Sequence, residues 1–168
     1  MVVNSMPFIV LDNVLSKTEL DNFYEGLKTF DINPSRYLED TELDTWNSIK
    51  FVHPLLKTLS KYFNIKRHYR YELWQHLGTY PHGWHLDKDE ELYEKKGILE
   101  IPLFGLIYYP LVECLRGGEL LLENGISVTP KSNRLVLFST GKLNHNVEKY
   151  EGYRHSFLIN VWDKKKLG

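Results

Sequence analysis

Glu119-Leu120-Leu121-Leu122-Glu123-Asn124-Gly125-Ile126-Ser127-Val128-Thr129 is the stretch that decides how this chain folds. Two strand-forming runs flank Asn-Gly, the pair preferred in a type I′ hairpin turn. The stretch therefore reads as a β-hairpin, and its neighbours read as further strands. Tyr69-Arg70-Tyr71-Glu72-Leu73-Trp74 alternates and is rich in aromatics. Ile98 to Tyr109 reads as a strand with a bend at Pro102 and Gly105. Arg134 to Ser139 and His155 to Trp162 read as buried strands, with shorter ones at Trp84–Asp87 and His145–Glu148. Gly117-Gly118, just ahead of the hairpin, permits a tight turn, a bulge or an ordinary loop.

The N-terminal third has a different rhythm. Ser16-Lys17-Thr18-Glu19 is a capping-box pattern, and Leu20, Phe23, Tyr24 and Leu27 follow at helical spacing. A second helix is expected near Pro54, with Leu55, Leu56, Leu59, Tyr62 and Phe63 on its buried side. Asp31 to Thr45 is polar and irregular and reads as a loop. No repeat or linker divides the 168 residues, so one domain is expected: 1–65 as mostly helical support and 66–163 as a β core. Helices first and many short strands after predict a mainly β fold, a sandwich or barrel buttressed by helices.

Composition excludes several classes. The net charge of -1 offers no footprint for a polyanion. The run Lys164-Lys165-Lys166 reads as a solvated tail, so no nucleic-acid partner is expected. The single cysteine, Cys114, rules out an internal disulfide framework and fits a reducing compartment. No signal peptide is read at the N-terminus, and the longest apolar stretch, Ile98 to Val112, is too short and too broken to span a bilayer. A cytoplasmic protein with no membrane partner is expected.

The chemistry concentrates in His85-x-Asp87, His145 and Arg154-x-Ser156. Residues i and i+2 of a strand face one side, so His85 and Asp87 can point together into a barrel mouth. With a distal His they form the 2-His-1-carboxylate set that binds non-haem Fe(II) and leaves positions open for oxygen and a co-substrate. The chain has 7 histidines, so one such pair can arise by chance; the ordered pattern gives it weight. Arg154 and Ser156 also share a face. A guanidinium meets a carboxylate bidentately and a hydroxyl adds a donor, which suits a dicarboxylate such as 2-oxoglutarate. The plainer reading of Arg154 is a surface cation paired with Glu148 or Glu151.

Together these residues resemble a known family. Trp84-His85-Leu86-Asp87, Ile107-Tyr108-Tyr109, Gly117-Gly118-Glu119-Leu120, Pro130-Lys131, Arg134-Leu135-Val136-Leu137-Phe138, His145-x-Val147 and Gly152-x-Arg154-x-Ser156 resemble the Fe(II)/2-oxoglutarate-dependent dioxygenases of the prolyl 4-hydroxylase-like branch. The resemblance implies a double-stranded β-helix, or jelly roll, with helices packed on one sheet. It implies His85, Asp87 and His145 as iron ligands, and Arg154, helped by Ser156, as the anchor of the 2-oxoglutarate C5 carboxylate. It implies Tyr109 near the co-substrate. Where the family often has another tyrosine ahead of the first ligand, this chain has Gln75-His76, with Tyr80 closer in as a candidate contact. Ascorbate dependence comes with the family habit.

The resemblance further implies hydroxylation of an aliphatic C–H, with 2-oxoglutarate and O2 as partners and a peptidyl proline or other amino-acid-like substrate. Retention of Asp87 favours hydroxylation over halogenation. The Asp89–Gly97 segment reads either as a cover for the site or as a solvated charged loop. Trp84 and Trp162 read either as a substrate wall or as core. The competing class is a non-catalytic cupin-like module that binds metal or a small ligand, with His82 and His85 clustered and His145 downstream. Such a module has no need of Arg154-x-Ser156.

Overall fold

A computed structural model of the chain describes residues 8–30, 35–39, 49–65, 69–78, 81–139 and 143–163. Its principal sheet is built from β1 (Phe8–Asp12), β2 (Ser35–Glu39), β3 (Arg70–His76), β5 (Phe104–Tyr109), β9 (Arg134–Phe138) and β12 (Ser156–Trp162). The 6 strands run in the order β1-β9-β5-β12-β3-β2, and neighbours are antiparallel. β12 lies between β5 and β3, with Ile159 opposite Leu106 and Leu73. Both its faces are covered as well, which is why Ser156–Trp162 is buried along its whole length.

Alternation along the strands divides the apolar residues into two clusters. Leu106, Tyr108, Leu135, Leu137, Phe157, Ile159 and Val161 point to one side. There they meet helix α1 (Lys17–Thr29) and helix α2 (His53–Tyr62), the latter entered through a 3-10 turn at Lys50–Val52. Ser16 and Glu19 close the expected capping box on α1. Phe23 presents ring edges to Phe51, Tyr108 and Phe157 at centroid distances of 5.6, 5.3 and 5.1 Å. Asn133 ties this layer to the sheet. Its Oδ1 accepts the Leu15 N–H and the Tyr108 hydroxyl, and its Nδ2 donates to the Leu15 carbonyl.

The alternate residues Ile107, Tyr109, Val136, Phe138 and Leu158 point the other way. They pack against Leu120, Leu122 and Val128 of a second, 4-stranded sheet. It comprises β4 (His82–His85), β7 (Leu120–Leu122), β8 (Ser127–Val128) and β10 (His145–Val147), in the order β4-β10-β7-β8. A ribbon of β6 (Val112–Gly117) and β11 (Tyr150–Arg154) completes the architecture. This is the expected jelly roll, mainly β and buttressed by helices on one sheet.

Several local expectations change. The N-terminal third is not only helical: β1 pairs with β9 and β2 with β3. Within Asp31–Thr45, read as a loop, Ser35–Glu39 is an edge strand; its polar, non-alternating sequence hid pairing supplied entirely by β3. The strand read from Ile98 begins only at Phe104, since Pro102 lacks an amide donor. Asp89–Gly97 is not a loop: it holds a short helix, α3 (Glu90–Lys96). Asp89 caps it by accepting the Leu92 N–H, and Gly97 ends it in the left-handed conformation. Tyr62, expected in the core, is 46% exposed. The hairpin forms with Leu120 opposite Val128 and Leu121 opposite Ser127, but its turn is not type I′, which needs positive φ at both central residues. Gly125 alone adopts it, at φ 83°, while the Asn124 side chain accepts the Ile126 N–H. Among the described residues no helix is long and apolar enough to cross a membrane.

Candidate active site

β4 and β10 pair so that His145 lies opposite His85. β4 ends at His85, so Asp87 stands just past the strand rather than on it, yet its carboxylate turns back between the imidazoles. Asp87 Oδ1 is 3.8 Å from His85 Nε2 and 3.7 Å from His145 Nε2. The ligand atoms of the three residues all lie within 4.8 Å of one another. The remaining ring nitrogens fix the tautomers. A carbonyl only accepts, so His85 Nδ1–H donates to Gly83 O at 2.6 Å and His145 Nδ1–H to Leu143 O at 3.3 Å. Both Nε2 lone pairs are left for a cation. Burial holds His145 towards its neutral, ligating form; the Asp87 charge opposes this and His85 adds to it. Two imidazoles and one carboxylate suit a borderline divalent ion such as Fe(II).

A cavity opens between the sheets next to this cluster. It encloses about 380 Å³ of non-atom space, its open mouth included, and His85 and His145 form part of its wall together with Tyr109, Arg154 and Ser156. Arg154 is not a surface residue. It is 3% exposed, and Glu151, offered as its partner, pairs instead with Arg116. Arg154 Nη1 donates to Gly118 O at 2.9 Å, and its guanidinium carbon lies 4.5 Å from the centre of the Tyr150 ring. Its Nε, and the Oγ of Ser156, are buried and have no hydrogen-bond partner among the described residues. Among the described residues no carboxylate neutralises this cation.

The double glycine now has a role. Gly117 and Gly118 adopt φ of 77° and 81°, which brings the Gly118 carbonyl to Arg154. A Cβ on Gly117 would collide with the Lys149 carbonyl oxygen, so the close approach of this turn to the β10–β11 connection requires glycine.

Other expected residues separate. Tyr109 lines the cavity and is fully buried, which pushes its pKa up to about 12 and keeps the phenol neutral. Tyr80 lies outside the described residues. His82 lines the cavity with its ring centre 5.8 Å from that of His85, but it stands outside the His85–Asp87–His145 group. Trp84 is 55% exposed; it alternates with His85 and faces away from the cavity. Trp162 is core, donating Nε1 to Glu72 at 3.2 Å. Sequence reasoning misses Trp74 as a cavity residue and marks His76 only as standing where the family often has a tyrosine. A signal exists: both share a face of β3, and Trp74 closes the alternating aromatic run.

No protein-family model and no curated protein sequence matches the chain. Solved structures do match in shape. A prolyl 4-hydroxylase from Phytophthora capsici superposes with a TM-score of 0.63 at 17% identity, over 98% of this chain and 61% of its own. This chain thus spans less than two thirds of that protein. The viral collagen prolyl hydroxylase of Paramecium bursaria Chlorella virus-1, solved with 2-oxoglutarate, gives 0.58 at 17% identity, over 96% and 98% of the two chains. The prolyl hydroxylase of Trichoplax adhaerens, solved with a hypoxia-inducible-factor peptide, gives 0.59 at 15%, over 97% and 86%. The chain therefore has the jelly-roll fold of the prolyl 4-hydroxylase-like Fe(II)/2-oxoglutarate oxygenases.

Proposed function

We propose that the protein is an Fe(II)- and 2-oxoglutarate-dependent dioxygenase that hydroxylates an aliphatic C–H, most readily that of a peptidyl prolyl or other amino-acid residue. The observation that carries this reading is Arg154: a buried cation without an acidic partner among the described residues, in the same cavity as a His-Asp-His cluster. A buried unpaired charge is costly, and a dianionic ligand removes that cost. His85, Asp87 and His145 would hold the metal. Arg154 and Ser156 would hold the distal carboxylate of 2-oxoglutarate, with Tyr109 walling the same end. The bound iron and co-substrate supply the oxidation of the C–H bond.

The chain's own residues do the rest. The backbone carbonyls of Gly83 and Leu143 keep both imidazoles oriented as ligands. Asp87 supplies a single carboxylate, so that coordination positions stay open on a cation bound there. Ile107, Leu120, Val147 and Leu158 line the space between metal and anchor with apolar atoms, which strengthens the pairing of Arg154 with an anion. The peptide-like substrate is supported by the Trichoplax neighbour, solved with its peptide. In the same reading residues 1–168 act as one oxygenase unit, and the exposed, unpaired Cys114 suits a reducing, cytoplasmic setting.

A cupin-like binding module would hold metal without regard to 2-oxoglutarate. Titration with Mn(II) in the absence and presence of 2-oxoglutarate separates the two. The oxygenase reading expects the co-substrate to tighten metal binding about tenfold or more, a coupling near 1.4 kcal/mol. Identical affinities would return the weight to the binding module.

A further inference from the structure

We propose that His76 is a third polar contact to the carboxylate that Arg154 and Ser156 anchor, donating to it from Nδ1. The proposal rests on the oxygenase reading above and gives a role to the histidine that this chain carries where the resembled family often has a tyrosine. The register sets the geometry: His76 on β3 lies directly opposite Ser156 on β12. Both line the cavity, as does Arg154.

Satisfaction of polar atoms points the same way. His76 Nδ1, Ser156 Oγ and Arg154 Nε are each buried and, among the described residues, without a hydrogen-bond partner, and all three residues line one cavity. Buried polar atoms are rarely left unpaired. Three of them on residues that line one cavity, one borne by a cation, fit a small anion as their complement. An ionised carboxylate offers about four acceptor sites, enough for all three donors.

The surroundings suit a neutral donor. The His76 ring meets the His82 ring edge-on at 4.7 Å. Burial, with His82 and Arg154 beside it, pushes the His76 pKa down to about 4. At neutral pH the ring therefore carries one N–H and adds no second charge beside Arg154. With Nδ1–H directed at the carboxylate, it supplies a donor at the end of the strand face that Trp74 continues.

The test compares ligands that differ only at the distal carboxylate. Protein loaded with Mn(II) and kept free of oxygen is titrated calorimetrically with 2-oxoglutarate and with 2-oxopentanoate. His76→Phe is expected to weaken 2-oxoglutarate about tenfold or more, the usual effect of removing a hydrogen bond to a charged group. It should leave 2-oxopentanoate unchanged. His76→Asn, which keeps a donor near Nδ1, should restore most of the loss. His76→Leu should repeat the His76→Phe result and guards against a variant that fails to fold. Unchanged 2-oxoglutarate affinity in both apolar variants overturns the proposal, as does equal weakening of both acids. Arg154→Ala separates the two levels. If it weakens 2-oxoglutarate while His76→Phe does not, only the His76 contact fails. If the wild-type protein binds no 2-oxoglutarate, the oxygenase reading fails with it.

Discussion

Ser156 and Phe157 are neighbours on β12 and equally sealed from solvent, yet they belong to different regions. Phe157 points to the helix layer, where its ring edge meets Phe23 and where Asn133 satisfies its own amide, Leu15 and Tyr108 together. Ser156 lines the cavity, where its hydroxyl has no partner among the described residues. On the helix face the polar groups of Asn133, Leu15 and Tyr108 pair with one another; on the cavity face Ser156 Oγ, His76 Nδ1 and Arg154 Nε find no partner among the described residues. Burial alone does not tell the two apart. The satisfaction of polar atoms does, and it is what supports the proposed division of the helix side for stability and the cavity side for function.

Substitutions on the two faces should therefore separate activity from stability. The largest effect is expected at Asp87. Asp87→Ala should reduce succinate formation to background while leaving the stability measured in urea within about 1 kcal/mol of wild type, because no fold-stabilising partner is lost. A variant with normal turnover would break the assignment of the cluster. Phe23→Ala should do the reverse. It should cost about 3–5 kcal/mol of stability, with the remaining folded protein binding 2-oxoglutarate as tightly as before. Asn133→Ala should cost about 2–3 kcal/mol, from its lost hydrogen bonds and from an alanine forced to the positive φ of 60° that Asn133 adopts.

A smaller effect should follow pH. Burial pushes the His155 pKa down from 6.5 to about 4, and its Nε2–H donates to Gln75 Oε1 at 3.1 Å. The unfolded chain thus binds the proton more readily than the folded one. Stability is undiminished above 6.5, falls as the pH drops from there to about 4, and levels off below that value. His155→Leu should flatten this part of the urea-midpoint profile. His76 is shifted in the same direction and should leave a residual slope.

Much of this division is legible in the sequence, for a physical reason. The unbroken apolar run Phe157-Leu158-Ile159 writes both faces of a central strand, and the i, i+2 rule alone pairs Arg154 with Ser156 on one face. That pairing holds although the two residues end one strand and begin the next. Edge elements are less legible. Ser35–Glu39 is a strand because β3 offers it a partner, and nothing local encodes that. The hairpin at Asn124-Gly125 is readable, but its turn type is not, since the Asn124 side chain competes for the Ile126 amide. His76 is legible only as the residue that stands where the family often has a tyrosine, because a histidine on an aromatic strand carries no motif of its own. Its meaning lies in the residue opposite, which only the register reveals.

The most direct test of the central claim is succinate formation by anaerobically purified protein supplied with Fe(II), 2-oxoglutarate and oxygen, beside Arg154→Ala. Slow succinate release from the wild-type protein, lost in a variant that remains folded, is the expected result. Equal release from both proteins would contradict the assignment of Arg154 as the co-substrate anchor.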